Sequence, residues 1–174
     1  MGVARAVWLA IALLGAGITG AGVAPALAQT TTVALEGPLR DRSAALEITA
    51  DQLSMNQSEG TAVFDGNVLA VQGSLRLAAD LVRVAYETDP QGRPGRIAEV
   101  TAEGGVTLVN GPETAEAERA VYTPQSGVVV MTGNVLLAQG GNALSGARLE
   151  LQLDTGTGVM EGRVKTIFQA DPAQ

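Results

Sequence analysis

Residues 131–151 read MTGNVLLAQGGNALSGARLEL, and their spacing decides the fold. Val129, Met131, Gly133, Val135 and Leu137 fall on one parity, the pattern of a strand with one apolar face. Gln139-Gly140-Gly141 then supplies turn chemistry, because glycine accepts positive φ at low cost. Leu144 and Gly146 open a second strand on one parity, and Leu149 and Leu151 continue it on the other. The stretch is a β-hairpin whose second strand changes apolar parity part-way along.

The unit recurs. A G-x-V step stands at Gly66-Asn67-Val68, Gly104-Gly105-Val106, Gly133-Asn134-Val135 and Gly162-Arg163-Val164. A small residue followed by an acid stands at Ala50-Asp51, Ala79-Asp80 and Ala117-Glu118, and degenerates to Gly146-Ala147. From Gly104 to Gly133, and again to Gly162, the period is 29 residues; the copy containing the turn Asp89–Arg96 is longer. Self-similarity at a fixed period indicates one supersecondary unit stacked on itself. Turn signals alternate between two sides, with Gln72-Gly73-Ser74 and Asn110-Gly111-Pro112 on one. Residues 56–60, 123–127 and 154–156 stand on the other, as in an antiparallel meander.

The parity change locates a corner. Ile48, Leu77, Ala115 and Leu144 precede the small-acid step; Leu53 with Met55, Val82 with Val84, Ala120 with Tyr122, and Leu149 with Leu151 follow it on the other parity. A flat strand cannot keep both sets inward, whereas one extra residue at a bulge can. The expected bulge lies on the acid-bearing strand. The G-x-V strands keep one parity: Phe64 with Val68; Val100 with Val106 and Leu108; Val129 with Met131, Val135 and Leu137; Met160 with Val164. Their glycines are compatible with a continuous strand, which we favour, or with a type I′ turn at Asp65-Gly66-Asn67. The expected fold is all-β: an antiparallel, twisted β-jelly roll or folded trough of stacked, bent hairpins with an apolar interior. Twelve to sixteen short strands over two facing sheets make a body roughly 30–40 Å long.

Composition narrows the chemistry. The 174 residues include no Cys and no His, which removes thiol catalysis, imidazole acid–base work and most zinc sites. The net charge of −7 disfavours nucleic acid as a partner. Asp51, Asp80 and Glu118 repeat at equivalent corners, so they read as turn-binding carboxylates rather than catalytic acids. No loop of closely spaced Asp suits calcium, and no Walker-type loop binds nucleotide. The chain is expected to be non-enzymatic and without metal or cofactor.

Residues 1–28 read as an export signal: Arg5, an apolar run from Ala6, and the small-x-small site Ala26-Leu27-Ala28. The same segment is long enough for a retained membrane anchor, which Gly15, Gly17, Gly20, Gly22 and Pro25 disfavour. Residues 29–44 are expected to form a flexible mature N-terminus, 45–169 the β-domain and 170–174 a short tail.

The segments ITADQLSMNQSEGTAVFDGNV, VQGSLRLAADLVRVAY and MTGNVLLAQGGNALSGARLEL resemble the periplasmic bridge family of lipopolysaccharide transport, OstA-like or LptA type. The resemblance runs from about Leu46 to Phe168. It implies a groove that carries lipid acyl chains, lined by the inward rows: Ile48, Leu53, Met55, Phe64, Val68, Leu77, Val82, Val84, Val100, Val106, Leu108, Val129, Met131, Val135, Leu137, Leu149, Leu151, Met160 and Val164. It also implies periplasmic subunits that join edge to edge. An inner-membrane anchored component would meet the N-terminal edge and an outer-membrane translocon component the C-terminal edge. A head-to-tail homo-oligomer would fill the gap. Leu46 and Ile48 stand at the first edge; Val164, Ile167 and Phe168 at the last. The competing readings are the membrane-anchored member of the same pathway and an exported structural β-repeat with a closed core. The expected ligand is lipopolysaccharide. Tyr86 and Tyr122 are expected at a rim, and Arg93 and Arg96 either face solvent or meet a headgroup.

Overall fold

Valine-rich alternating segments punctuated by glycine turns pair with their chain neighbours from residue 52 to residue 161. The computed structural model describes residues 30–34, 44–91 and 93–168; the proposed export segment, the rest of 29–44 and the tail 170–174 lie outside these residues. The strands are β1 (Thr30–Ala34), β2 (Leu46–Thr49), β3 (Gln52–Asn56), β4 (Thr61–Gln72), β5 (Leu75–Thr88) and β6 (Pro94–Asn110). They continue as β7 (Glu113–Thr123), β8 (Val128–Gln139), β9 (Asn142–Gln152), β10 (Thr157–Glu161) and β11 (Lys165–Ile167). All pairings are antiparallel, and the order is β1-β10-β9-β8-β7-β6-β5-β4-β2, with β3 also on β4 and β11 also on β9. The sheet is therefore not closed. The described residues hold eleven strands against the expected twelve to sixteen, and β4 to β9 run unbroken through their corners.

Each long strand contributes to two walls. Wall one pairs β3 with Thr61–Asp65 and proceeds to β10 and β1; wall two pairs β2 with Leu69–Gln72 and proceeds to β11. The first set of turns caps the rim of wall two, and the second caps the rim of wall one. Apolar side chains from both walls share one core, from Val82, Val84 and Met131 to Val106, Val135 and Leu137. This is the folded trough that the parity change implies.

The extra residue sits on a different strand from the one expected. Asp65 faces Leu81 and Val68 faces Ala79, so three steps on β4 answer two on β5. The same offset occurs between Glu103–Arg119 and Val106–Ala117, and between Thr132–Arg148 and Val135–Gly146. The bulge thus belongs to the G-x-V strand, not to the acid strand. The backbone explains it: Gly66 and Asn67 have φ of 78° and 47°, and Gly133 and Asn134 have 84° and 47°. Two successive left-handed residues turn the strand as a type I′ turn would, yet pairing resumes on both sides. Both sequence readings of the glycine column capture part of this geometry. Only the outer copies break: β2 and β3 part at Ala50-Asp51, and β10 and β11 part at Gly162-Arg163-Val164.

Each acid packs against the glycine of the following strand. Asp51 Oδ2 accepts a hydrogen bond from Asn67 Nδ2 at 2.7 Å, and Glu118 Oε1 accepts one from Asn134 Nδ2 at 2.6 Å. The Asp51 N–H also donates to the Gly66 carbonyl at 2.9 Å. A Cβ at Gly133 would stand 2.6 Å from Glu118 Oε2, and one at Gly104 would collide with Asp80 Oδ2. The fourth copy packs Ala147 against Gly162 instead of an acid.

Residues 30–34 depart from the flexible N-terminus expected of them. They form β1 on the outer edge of β10, with Val33 buried opposite Gly158.

The corners yield a paired expectation. Gly104→Ala should cost about 1–3 kcal/mol, because it imposes strain at φ 79° and meets Asp80. Gly105→Asn should stabilise by about 0.5–1 kcal/mol, since it restores the amide donor of the sister copies at φ 53° in open space. Urea unfolding midpoints of the two variants measure both effects.

Candidate functional site: an apolar trough between two walls

The interior face is set by register. Directly opposed residues share a face, so Met55, Ala62, Val84, Val100, Tyr122, Val129 and Leu151 form one inward row across wall one. Ile48, Ala70, Leu77, Leu108, Ala115, Leu137 and Leu144 form the matching row across wall two. The outer face carries charge: Glu103 pairs with Arg119 at 3.5 Å, and Arg148 pairs with Glu150 at 2.6 Å and Glu161 at 2.8 Å. Its two carboxylate partners, Glu150 foremost, hold the Arg148 pKa above its ordinary value.

The packing between the walls changes along the trough. Towards β8–β10 the walls touch: Met131, Leu149 and Met160 are fully buried, and Val135, Leu137 and Leu151 are 1% exposed. Gln139 Nε2 there donates to the Ala34 carbonyl at 3.1 Å and to Glu113 Oε1 at 2.9 Å, tying the rim of wall two to β1 on wall one. Towards β2–β6, and reaching Ala120, Tyr122 and Val129, the walls enclose a cavity of about 380 Å³. Val82, Val84, Val100 and Val129 face it from wall one, and Ile48, Leu77 and Leu108 from wall two. Facing alanines make the room: Ala70, Ala102 and Ala120 also line it.

The expected groove residues therefore divide. Ile48, Leu77, Val82, Val84, Val100, Leu108 and Val129 line the cavity. Phe64, Val68, Val106, Met131, Val135, Leu137, Leu149, Leu151, Met160 and Val164 lie on or pack against the core, outside the cavity lining. Leu53 and Met55 share the inward face but remain 52% and 75% exposed, because among the described residues no strand lies beyond β3. Sequence parity reveals the face of a residue and not the distance to the opposite wall. It missed Leu75, Ile97 and Leu153, which lie near turns where alternation is short. Leu46, assigned to the edge, also lines the cavity. Tyr122 lines the cavity rather than only its rim, and Tyr86 packs partly buried against the core.

The two loop arginines are paired within the protein. Arg93 Nε donates to Asp89 Oδ2 at 2.7 Å, and Arg96 pairs with Glu87 at 3.1 Å. The Arg93 N–H and then its guanidinium hold the Asp89 carboxyl below the usual aspartate range. A depressed folded pKa makes this stabilisation of the hairpin tip present above the ordinary value and lost as pH falls through the folded one. Among the described residues, no cluster of acidic side chains has metal-site geometry, and no helix is long and apolar enough to cross a membrane.

The described residues thus form an unclosed, folded β-trough with ion pairs on its outer face and an apolar cavity inside. Residues 47–157 match the family described as LptA/(LptD N-terminal domain) LPS transport protein. The chain belongs to that family. It is also 30% identical to an uncharacterized protein of Rhizobium meliloti (strain 1021), over 94% of this chain and 89% of the relative. Its fold is similar to the crystal structure of LptH, the LptA-homologous periplasmic component of the lipopolysaccharide transport device of Pseudomonas aeruginosa. The TM-score is 0.63 at 18% identity, covering 75% of this chain and 99% of LptH.

The cavity has a direct test. Ala70→Phe should fill it from wall two and weaken binding of an apolar fluorescent probe at least about tenfold, a loss of about 1.4 kcal/mol. The thermal midpoint should stay near that of the unaltered protein, because Ala70 is only partly buried.

Proposed function

We propose that this chain is a periplasmic, non-enzymatic carrier that passes lipopolysaccharide between the inner and outer membranes. The observation that carries the reading is the apolar cavity of about 380 Å³ between two walls whose sheet does not close. That volume lies at the low end of ligand pockets, roughly 300–1,000 Å³. It suits part of a multi-chain lipid, with the remainder passing between the open rims. Each buried methylene contributes about 0.8 kcal/mol, so affinity needs no specific polar contact. The sequence carries no Walker-type loop, and in this reading direction comes from partners.

The edges supply the means of relay. Wall segments spaced about 4.8 Å apart give a body roughly 35 Å long, short for crossing an aqueous compartment. Edge strands lengthen it by strand addition. In this reading β2 and β3 meet the inner-membrane component or a preceding copy. The C-terminal edge, where Ile167 and Phe168 are 55% and 77% exposed, meets a following copy or the outer-membrane translocon.

Two experiments follow from the reading. A photo-crosslinker at Val84, which lines the cavity, should capture lipopolysaccharide in cells, while one at the outward Arg83 should not. Equal capture at both positions would overturn the assignment of the lipid path. Ile167→Pro should abolish crosslinking from Phe168 to the outer-membrane partner and leave capture at Val84 intact, because it alters β11 and not the cavity. Loss of lipid capture with the partner contact retained is the opposite result.

A further inference from the structure

We propose that β1 is an intramolecular strap that occupies the wall-one edge where a second copy of this chain docks, and that it is displaced when that copy joins. The inference rests on the relay reading above. At the first rung both walls are open among the described residues: β3 on wall one and β2 on wall two each pair there with β4 alone. A head-to-tail junction that extends both walls must therefore place β3 of the next copy on β10 and its β2 on β11. The outer edge of β11 carries no strand among the described residues. The outer edge of β10 is filled by β1, in register from Thr30 opposite Glu161 to Ala34 opposite Thr157.

β1 reproduces what a neighbour would supply. It is a five-residue strand, as β3 is. Strand direction alternates without a break from β3 to β10, and β1 is antiparallel to β10. A following copy's β3 would therefore run as β1 now runs.

The strap is also lightly held. Of its side chains only Val33 is buried; Thr30, Thr32 and Ala34 are exposed. Gln139 adds one hydrogen bond to the Ala34 carbonyl. A strand kept by backbone pairing and one valine exchanges readily for an equivalent strand that brings a second wall with it. In the lone subunit the strap covers an edge that would otherwise invite unregulated pairing and seals the closed end of the trough. A competent fraction lowered by the strap weakens apparent association in proportion.

The experiment uses the mature exported chain in three forms: unaltered, lacking residues 30–34, and carrying Thr32→Cys with Val159→Cys. Thr32 and Val159 are directly opposed, and the chain has no other cysteine, so oxidation locks the strap. Sedimentation velocity over a concentration series reads self-association, and lipopolysaccharide binding is measured on the same samples. Deletion should raise the association constant at least about tenfold, and the oxidised lock should lower it at least about tenfold, with reductant restoring it. Equal association of the locked and deleted forms overturns the strap. If the deleted chain does not fold, the oxidised and reduced states of the cysteine pair decide alone, and equal association there overturns it. Lipid binding without strap-dependent association refutes the strap and leaves the carrier reading standing. Strap-dependent association without lipid binding does the reverse.

Discussion

Two left-handed residues in succession, set against a carboxylate from the preceding strand, make the corner on which everything else depends. A β-strand has no means of folding over while keeping its apolar side inward unless one residue leaves the pleat. Gly66-Asn67 and Gly133-Asn134 provide that step, and the second residue of each pair donates its amide to Asp51 or Glu118. The glycine is required for two separate reasons: its φ is positive, and the acid lies where a Cβ would be. Stacked in register, the corners align the bends of successive strands, and two facing walls result.

The distance between those walls is a matter of side-chain volume. Where Met131, Leu149, Leu151 and Met160 meet Leu137 and Val135, the walls are in contact and water is excluded. Where Ala70, Ala102 and Ala120 face inward, their small side chains leave the cavity. The trough thus has a dry, closed half built of large residues and an open half built of small ones. A lipid chain entering the open half gains burial without displacing a packed core.

The ends follow a different logic. An open sheet can lengthen by strand addition, and the same open edges risk indiscriminate pairing. Here the first rung is exposed on both walls, while the last is exposed on wall two and covered by β1 on wall one. The bond from Gln139 to Ala34 joins that cover to the opposite rim, so the closed half of the trough and the covered edge belong to one arrangement.

Much of this was legible in the residues. Alternation around Gly133, the 29-residue repeat and the parity change at Gly146-Ala147 specified paired, bent strands with one apolar side, because side-chain direction along a strand is a local property. The same repeated motifs carried the family. Local pattern could not place the extra residue: a bulge is defined by two strands together, and only the register of β4 against β5 assigns it to the glycine side. Nor could it separate Val84, which lines the cavity, from Met131, which is sealed in the core, since both point inward. That difference depends on the volumes facing them from the other wall, brought close only by folding. The placement of β1 was beyond the sequence for the same reason. Five residues with a single buried valine bear too weak a pattern to show a partner more than a hundred residues away, and the edge of β10 exists only once the sheet has formed.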